Sequence, residues 1–269
     1  LAGCRESTMK TQLRNETVHF GTGSGSPAPD APTIVFVHGA GHDATVWVMP
    51  ARYFARHGLR VLAPDLPAHG RSSGEPLQSI EAMADWLAEL VDQQCRAGVI
   101  MVGHSMGALV TMSFTQRHPQ LVKKSALLGA SAPMPVGPPL LNAAADSHHA
   151  AIDMANTWSH STVGRLGASQ MPGIHILNSG ERLLERMSSG VYHADLAACN
   201  AFATPVTPAQ VPTLVIAGEA DQMTPAKAGV KVAHALGNSE VVILRGCGHA
   251  MLMEQPNEVL DTLADFILE

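Results

Sequence analysis

One segment restricts the possible folds of this 269-residue chain more than any other. Residues Val99–Val102 are apolar and partly β-branched, which predicts a buried strand. The pentapeptide Gly103–Gly107 follows with the pattern Gly-x-Ser-x-Gly, and the residues after it can continue as a helix. Glycines at both ends of the pentapeptide allow the backbones of strand and helix to approach closely. We therefore predict a sharp strand-to-helix turn with Ser105 at its tip.

The rest of the chain alternates apolar strands with helices. Strands are also predicted at 33–37, 59–63, 124–129, 211–217 and 241–244, and helices at 47–57, 80–95, 108–114, 226–236 and 257–268. Nearly all of these strands are apolar along their length, which is typical of parallel strands covered by helices on both faces. The expected fold class is α/β, with a mostly parallel central sheet between two layers of helices.

Residues 131–208 interrupt this alternation. They contain no convincing strand, have prolines near both ends and resemble several short helices. We interpret them as an inserted helical lid over the carboxyl ends of the strands, where open α/β sheets bind ligands. The alternative is a helical excursion that packs on one flank. The predicted domains are a core of residues 9–130 and 209–269 and a lid (cap) of residues 131–208.

The charge balance argues against two classes of partner. The chain has 17 basic and 23 acidic residues, a formal net charge of −6, and no cluster of lysine and arginine. Nucleic acid and an anionic membrane surface are therefore not expected as partners. No apolar run is long enough to span a bilayer. The sequence does not predict an oligomeric state.

The cysteines bear on the compartment. Cys4, Cys95, Cys199 and Cys247 are far apart in sequence and form no metal-type or redox-type pair, so we expect a reducing compartment and a cytoplasmic location. Leu1–Cys4 resembles the cleavage box of bacterial lipoproteins. Because no charged and apolar signal segment precedes it in this sequence, we interpret that similarity as incidental.

A serine hydroxyl needs a base, and the base needs a group that orients it. The chain has 14 histidines, so position in the sequence must decide among them. His249 follows the last predicted strand, and Asp221 follows the strand before it, so both should lie at the same sheet edge as Ser105. Glu219 is a competing acid, but Asp221 lies further along the loop and has more room to turn toward the histidine.

Backbone donors for an oxyanion are predicted after the first strong strand. Gly39 and Gly41 flank Ala40 in the loop that follows residues 33–37, and they allow close approach of the backbone to a substrate. We assign the two donors to the N–H groups of Ala40 and of Met106, the residue after Ser105. Such donors stabilise a tetrahedral oxyanion by roughly 3 kcal/mol each.

Together these residues resemble the α/β-hydrolase superfamily, within its lid-bearing serine esterase-like branch. The resemblance covers nearly everything from residue 30 onward and rests on five blocks in the family's order: His38–Gly41, Asp65–Ser72, Gly103–Gly107, Gly218–Asp221 and Gly248–His249. It implies a triad of Ser105, Asp221 and His249, with no metal and no cofactor. It also implies that Trp47 lines the pocket, and His104 and Met251 are further candidates for contact with the substrate.

The resemblance implies hydrolysis of a carboxylic ester, lactone or thioester, with a small-molecule acyl substrate and water as the reactants. The low aromatic content, 4%, favours a small or medium aliphatic acyl group. One alternative is a carbon–carbon bond hydrolase or lactonase with a basic group for a substrate carboxylate, for which the candidates are Arg165, Arg182 and Arg186. Another is a non-catalytic small-molecule receptor on the same fold.

Several other histidines and carboxylates are interpreted as structural. His38 and His42 have metal-like spacing but lie on a glycine loop. The pair at 148–149 is interpreted as a solvated helix face without a carboxylate at ligand spacing. Asp65 and His69 are expected, from the resemblance, to form a hydrogen-bonded turn.

Overall fold

A computed structural model describes residues 8–28, 30–95, 97–146, 149–167, 170 and 173–269. The lipoprotein-like segment Leu1–Cys4 and His148 lie outside the described residues. The strands are β1 (Thr8–Leu13), β2 (Glu16–Gly21), β3 (Thr33–Val37), β4 (Arg60–Pro64), β5 (Val99–His104), β6 (Val122–Leu128), β7 (Thr213–Gly218) and β8 (Ser239–Leu244).

The helices are α1 (Val48–Arg56), α2 (Ile80–Gln94), α3 (Met106–Arg117), α4 (Pro138–Ala145), α5 (His149–Ser159), α6 (Thr162–Arg165), α7 (Ile176–Leu184), α8 (Val191–Ala201), α9 (Ala226–Leu236), α10 (Met251–Glu254) and α11 (Pro256–Leu268). Short 3₁₀ helices occur at Ala44–Trp47 and Pro119–Leu121. None of the helices in the described ranges is long and apolar enough to cross a membrane.

The eight strands form one sheet in the order β1-β2-β4-β3-β5-β6-β7-β8. The six strands from β4 to β8 in this order are parallel, whereas β2 runs antiparallel to both β1 and β4. The hairpin of β1 and β2 is not predicted from the sequence. Its turn is made by Arg14 and Asn15, which both adopt the left-handed backbone conformation that two-residue hairpin turns require.

Apolar side chains fill both faces of the sheet. One core layer includes residues of α2, α3 and α9 against β3, β5 and β7. The other includes residues of α1 and α11 against the opposite face. β5 is buried along its whole length because it lies between these layers. The predicted α/β class, with a mostly parallel sheet between helices, is confirmed.

Helices α4 to α8 are inserted between β6 and β7, and we call them the helical insertion. The described part of this stretch contains no strand. Its helices have a small apolar core of their own, formed around Leu140, Ala155, Tyr192 and Leu196. The domain boundaries at residues 131 and 208, and the action of the insertion as a lid, stay predictions.

Candidate active site

The turn after β5 has the geometry predicted for it. Ser105 adopts φ 56° and ψ −119°, a strained backbone conformation that residues other than glycine rarely adopt. A Cβ at Gly103 would collide with the carbonyl group of Gly107, and a Cβ at Gly107 would collide with the carbonyl of Val37. The Ser105 N–H donates to the carbonyl of Leu128 at 2.8 Å, which fixes the turn against β6. The two glycines are therefore required for strand and helix to pack this closely.

The structure places His249 and Asp221 in direct contact. The His249 Nδ1 lies 2.7 Å from the Asp221 Oδ2, and both side chains are buried. Because a carboxylate oxygen only accepts, Nδ1 is the donor of this contact, and in the neutral form of the ring Nε2 keeps its lone pair. Burial disfavours the Asp221 carboxylate, but the His249 charge and its hydrogen bond outweigh this and lower the pKa of Asp221. Asp221 can therefore hold the His249 ring in one orientation, in which the ring can act as a base.

Thr224 is a member of the site that was not predicted. Its hydroxyl donates to the Asp221 Oδ2 at 2.8 Å, and its N–H donates to Oδ1 at 2.8 Å. The same hydroxyl oxygen lies 3.1 Å from the His249 Nδ1. The available signal was Asp221 followed three residues later by a hydroxyl residue, a spacing at which aspartate accepts from nearby backbone N–H groups.

The competing acid Glu219 is directed away from the histidine. It is exposed, and its carboxylate accepts from the N–H of Gly246 at 2.8 Å. This contact links the loops that follow β7 and β8. The structure thus pairs Asp221, and not Glu219, with His249.

Ser105 and His249 line one cavity of about 290 Å³. In the described part of the chain no direct hydrogen bond joins the Ser105 hydroxyl to His249. Catalytic hydrogen bonds are often long before a substrate binds and shorten in the complex.

His104 packs against His249, the candidate catalytic histidine, and donates a hydrogen bond to it. Its Nε2 donates to the backbone carbonyl of His249 at 2.9 Å, and the two ring centres are 4.8 Å apart. Burial and then the neighbouring His249 lower the pKa of His104 to about 3, so the ring is neutral near pH 7. His104 also lines the cavity, as expected for a residue that could contact the substrate.

The two expected oxyanion donors occupy suitable elements. Ala40 lines the cavity in the loop after β3, beside Gly39. Met106 is the first residue of α3, so its N–H has no acceptor within the helix. A Cβ at Gly39 would lie 3.4 Å from the Cβ of Ser105, which shows how closely this loop approaches the serine. We call residues 39–41, which contain the expected donor Ala40, the oxyanion loop.

The expectation that Trp47 and Met251 line the pocket is wrong. Both are fully buried in the core layer that includes α1 and α11, and neither is among the described residues that line this cavity. Trp47 lies at the end of a 3₁₀ turn and stacks on Phe36, with ring centres 4.9 Å apart. The turn thus places the Trp47 side chain in this core layer.

The helical insertion supplies most of the apolar wall of the cavity. The insertion residues that line it include Leu140, Ala155, Trp158, Leu184, Tyr192 and Leu196. The described lining contains no lysine or arginine, so Arg165, Arg182 and Arg186 are all absent from it. Arg186 instead pairs with Asp43 at 3.1 Å, and Arg182 pairs with Glu185 at 2.8 Å.

The Asp65–Ser72 segment forms a hydrogen-bonded turn. The Asp65 carboxylate accepts from the N–H groups of Ala44 and Arg71, at 2.8 and 3.0 Å. Next to it, the His38 Nε2 accepts from the N–H of Leu66 at 3.1 Å, and burial lowers the pKa of His38 to about 4. Both residues hold loops together at this edge of the sheet.

His149 has more acidic neighbours than the sequence indicated. The expectation that no carboxylate stands at ligand spacing is wrong, because Asp153 lies 3.4 Å and Glu181 lies 3.7 Å from the His149 ring nitrogens. The ligand atoms of His149, Asp153 and Glu181 lie within 4.8 Å of one another, a spacing that suits a metal ion. This group lies between α5 and α7 and shares no described residue with the cavity at Ser105.

Comparison with known proteins decides the family. A family model described as "Alpha/beta hydrolase family" matches residues 34–262, which is most of the chain and includes Ser105, Asp221 and His249. The chain belongs to the alpha/beta hydrolase family. This confirms the resemblance to the α/β-hydrolase superfamily, whereas the lid-bearing serine esterase-like branch stays a prediction.

Two relatives of this chain each match more than four fifths of its length. The chain is 25% identical over 254 residues to protein ABHD8 of Mus musculus, which covers 87% of this chain and 55% of the relative. The chain therefore spans about half the length of the ABHD8 proteins that it matches. It is 28% identical to a pimeloyl-[acyl-carrier protein] methyl ester esterase of Aromatoleum aromaticum, over 88% of this chain and 98% of the esterase.

A solved structure supports the fold. The enol-lactonase from Burkholderia xenovorans LB400 superposes with a TM-score of 0.85 and 23% sequence identity, over 97% of this chain and 100% of the lactonase. At this identity the similarity shows the shared architecture. The activity of this chain has to be argued from its own site.

Proposed function

We propose that this alpha/beta hydrolase cleaves a carboxylic ester, or a related acyl bond, through an acyl-enzyme on Ser105. One observation carries the proposal: the Asp221–His249 pair, joined at 2.7 Å, opens onto the same cavity as a serine in a strained turn. An oriented imidazole beside an accessible hydroxyl is the arrangement that activates serine as a nucleophile.

In the first half of the reaction, the His249 Nε2 takes the proton of the Ser105 hydroxyl as the oxygen attacks the substrate carbonyl. The N–H groups of Ala40 and Met106 donate to the oxyanion of the tetrahedral intermediate. Asp221 stabilises the imidazolium, and Thr224 holds the carboxylate in place. The imidazolium then protonates the leaving alcohol, and the acyl group stays on Ser105.

In the second half, the His249 Nε2 removes a proton from water, which attacks the acyl carbonyl. The same donors hold the second oxyanion, and collapse of the intermediate returns the proton to Ser105 and releases the acid. The neutral His104 ring, which packs against His249, adds no charge to the site. No metal or cofactor enters these steps.

The cavity favours a small or medium acyl group. Its volume of about 290 Å³ lies near the lower end of the range for ligand pockets, and its wall is largely apolar. Because the insertion residues Leu140, Trp158 and Leu196 contribute to this wall, we propose that the helical insertion is the lid of the site. The lack of a basic side chain in the described lining favours an ester over the carboxylate-bearing substrate of a carbon–carbon bond hydrolase.

Replacement of the nucleophile tests this proposal. We expect Ser105→Ala to abolish turnover of p-nitrophenyl acetate and p-nitrophenyl butyrate, because no other group in the proposed mechanism can form the acyl-enzyme. Ser26→Ala, at an exposed serine in the loop between β2 and β3, is the control and should keep the wild-type rate. Full turnover by Ser105→Ala would refute the proposed nucleophile. Wild-type protein that hydrolyses no ester, thioester or lactone in a panel of such substrates would favour a receptor.

A further inference from the structure

A buried carboxylate of the helical insertion reaches the oxyanion loop. Asp195, on α8, is fully buried, and its Oδ2 accepts from the backbone N–H of Gly41 at 2.8 Å. The same oxygen lies 2.8 Å from the His69 Nε2, and the described residues offer no partner to Oδ1. One oxygen atom thus joins the insertion, the oxyanion loop and the turn after β4.

The contacts of His69 favour the charged form of its ring. Its Nδ1 lies 2.9 Å from the backbone carbonyl of Pro67, and a carbonyl oxygen only accepts. Its Nε2 faces the Asp195 carboxylate, which also accepts, so both ring nitrogens donate. Burial opposes the charge, but Asp195 outweighs it and raises the pKa of His69. These contacts favour an imidazolium that faces a carboxylate, and both side chains are buried.

The neighbouring residues His38 and Asp65 do not act as counter-ions to either member of the Asp195–His69 pair. The His38 ring centre is 4.8 Å from that of His69, but His38 is neutral because its Nε2 accepts from a backbone N–H. The Asp65 carboxylate is already bound by two backbone N–H groups of its own turn. Each member of the Asp195–His69 pair is thus the principal counter-ion of the other.

Stability alone does not explain a buried ion pair at this place. Desolvation of two charges costs about as much as their attraction returns, so such pairs contribute little net stability compared with apolar side chains of the same volume. The geometry around Gly41 indicates another role. Gly41 has φ +67°, and a Cβ there would collide with Tyr192 of α8 and with Met187. The insertion therefore contacts the oxyanion loop through packing as well as through Asp195.

We propose that Asp195 is a positioning residue for the oxyanion loop, with the His69 imidazolium as its counter-ion. By holding the Gly41 N–H, Asp195 fixes the backbone of the neighbouring Ala40, whose N–H is a proposed oxyanion donor. The inference rests on the proposed function, because it assigns Asp195 a role in that reaction. It implies that the helical insertion completes the catalytic site as well as forming a wall of the cavity.

Asp195→Asn is the direct test. The amide carries no charge, so the His69 ring loses its counter-ion and the hydrogen bond from the Gly41 N–H is weakened, which loosens the anchor of the loop. Loss of a complete oxyanion donor costs about 10²–10³ in kcat, and displacement of one should cost roughly 10–100. We expect this fall in kcat on p-nitrophenyl butyrate with KM within about threefold, and an equal loss of affinity for butylboronic acid, which forms a tetrahedral adduct with the serine.

Ala194→Gly is the matched control on the same helix. It weakens α8 without removing either hydrogen bond, so it should lower Tm and leave kcat and boronate affinity unchanged. If Asp195→Asn keeps wild-type kcat and boronate affinity, Asp195 is not a positioning residue. The same conclusion follows if the control loses both quantities to the same extent as Asp195→Asn.

Hydrogen exchange of the wild-type protein tests the anchor without any variant and without any substrate. The amide of Gly41 should exchange at least 100-fold more slowly than an unbonded loop amide, and the His69 ring nitrogens should both show the ¹⁵N shifts of a protonated imidazole at pH 7. Fast exchange at Gly41 would overturn the inference. If Ser105→Ala is inactive but the Gly41 amide is unprotected, the proposed function stands and this inference alone fails.

Discussion

The hydroxyl of Thr224 is a single group from which we expect a measurable effect on the reaction rate. It donates to the Asp221 oxygen that His249 also contacts, so its loss leaves a buried carboxylate with one partner fewer. A hydrogen bond to a charged group is worth about 1.5–3 kcal/mol, so we expect Thr224→Val to lower kcat by roughly tenfold or more. The measurement is kcat and the pH profile of kcat/KM for an activated ester.

Thr224→Ser is the matched variant, because it keeps the hydroxyl and removes only a methyl group. It should retain most of the wild-type kcat. Equal losses in Thr224→Ser and Thr224→Val would show that packing of the methyl group matters and that the hydroxyl does not.

Gly129 illustrates how the end of a strand makes room for a functional side chain. It follows β6 directly with φ +58°, and a Cβ there would lie 3.0 Å from the His249 Cε1 and 3.1 Å from its Nδ1. Gly129→Ala should therefore push the imidazole off its line to Asp221, and we expect kcat to fall by at least tenfold, as small misplacements of catalytic groups do.

Gly58→Ala separates this effect from backbone strain. Gly58 also has a positive φ, of +89°, but a Cβ there meets nothing within 4 Å among the described residues. Both variants should unfold at lower denaturant concentration, at a cost of about 1–2 kcal/mol for the left-handed conformation. Only Gly129→Ala should lose activity, and a Gly129→Ala enzyme with normal kcat would contradict the crowding argument.

The elements carrying the site were largely predictable because their signals are local. β5 is a continuous apolar run, and the glycines of the turn after it have a steric reason that the structure reproduces. The loops of Asp221 and His249 follow neighbouring apolar strands, and parallel strands present their carboxyl ends at the same edge.

The features that the sequence does not predict depend on contacts between distant segments of the chain. The β1–β2 hairpin pairs at the edge of the sheet with polar side chains exposed, so it lacks the apolar run that identified the other strands. The position of Trp47 depended on which side of the sheet a 3₁₀ turn faces. The link from Asp195 to Gly41 spans 154 residues, and no periodicity encodes such a pairing.

The buried histidines make the stability of the protein sensitive to acid. Burial lowers the pKa of His38 to about 4 and of His104 to about 3, whereas an unfolded chain protonates both near 6.5. As pH falls below 6.5, the unfolded state binds protons that the folded state does not, so the free energy of unfolding decreases. At pH 5 this amounts to about 2 kcal/mol for each of the two histidines. His69 acts in the opposite direction, because its pKa is raised and its contribution is lost as pH increases.

Urea denaturation at pH 7.5 and pH 5.0 measures this difference. We expect His104→Gln to reduce the loss of stability between the two pH values by about 2 kcal/mol. His234→Gln is the control at an exposed histidine and should show the same loss as the wild type. A free energy of unfolding that is constant between pH 7.5 and 5.0 would contradict the assignment of His38 and His104 as neutral buried rings.

The most direct test of Ser105 as an activated nucleophile is chemical labelling with a fluorophosphonate, followed by peptide mass spectrometry. The probe forms a covalent bond only with a serine whose proton a neighbouring base removes. We predict a single stoichiometric adduct on Ser105 in the wild-type protein, and labelling at least 100-fold slower in His249→Ala. An adduct on another residue, or no adduct under conditions that label a known serine esterase completely, would contradict the proposed mechanism.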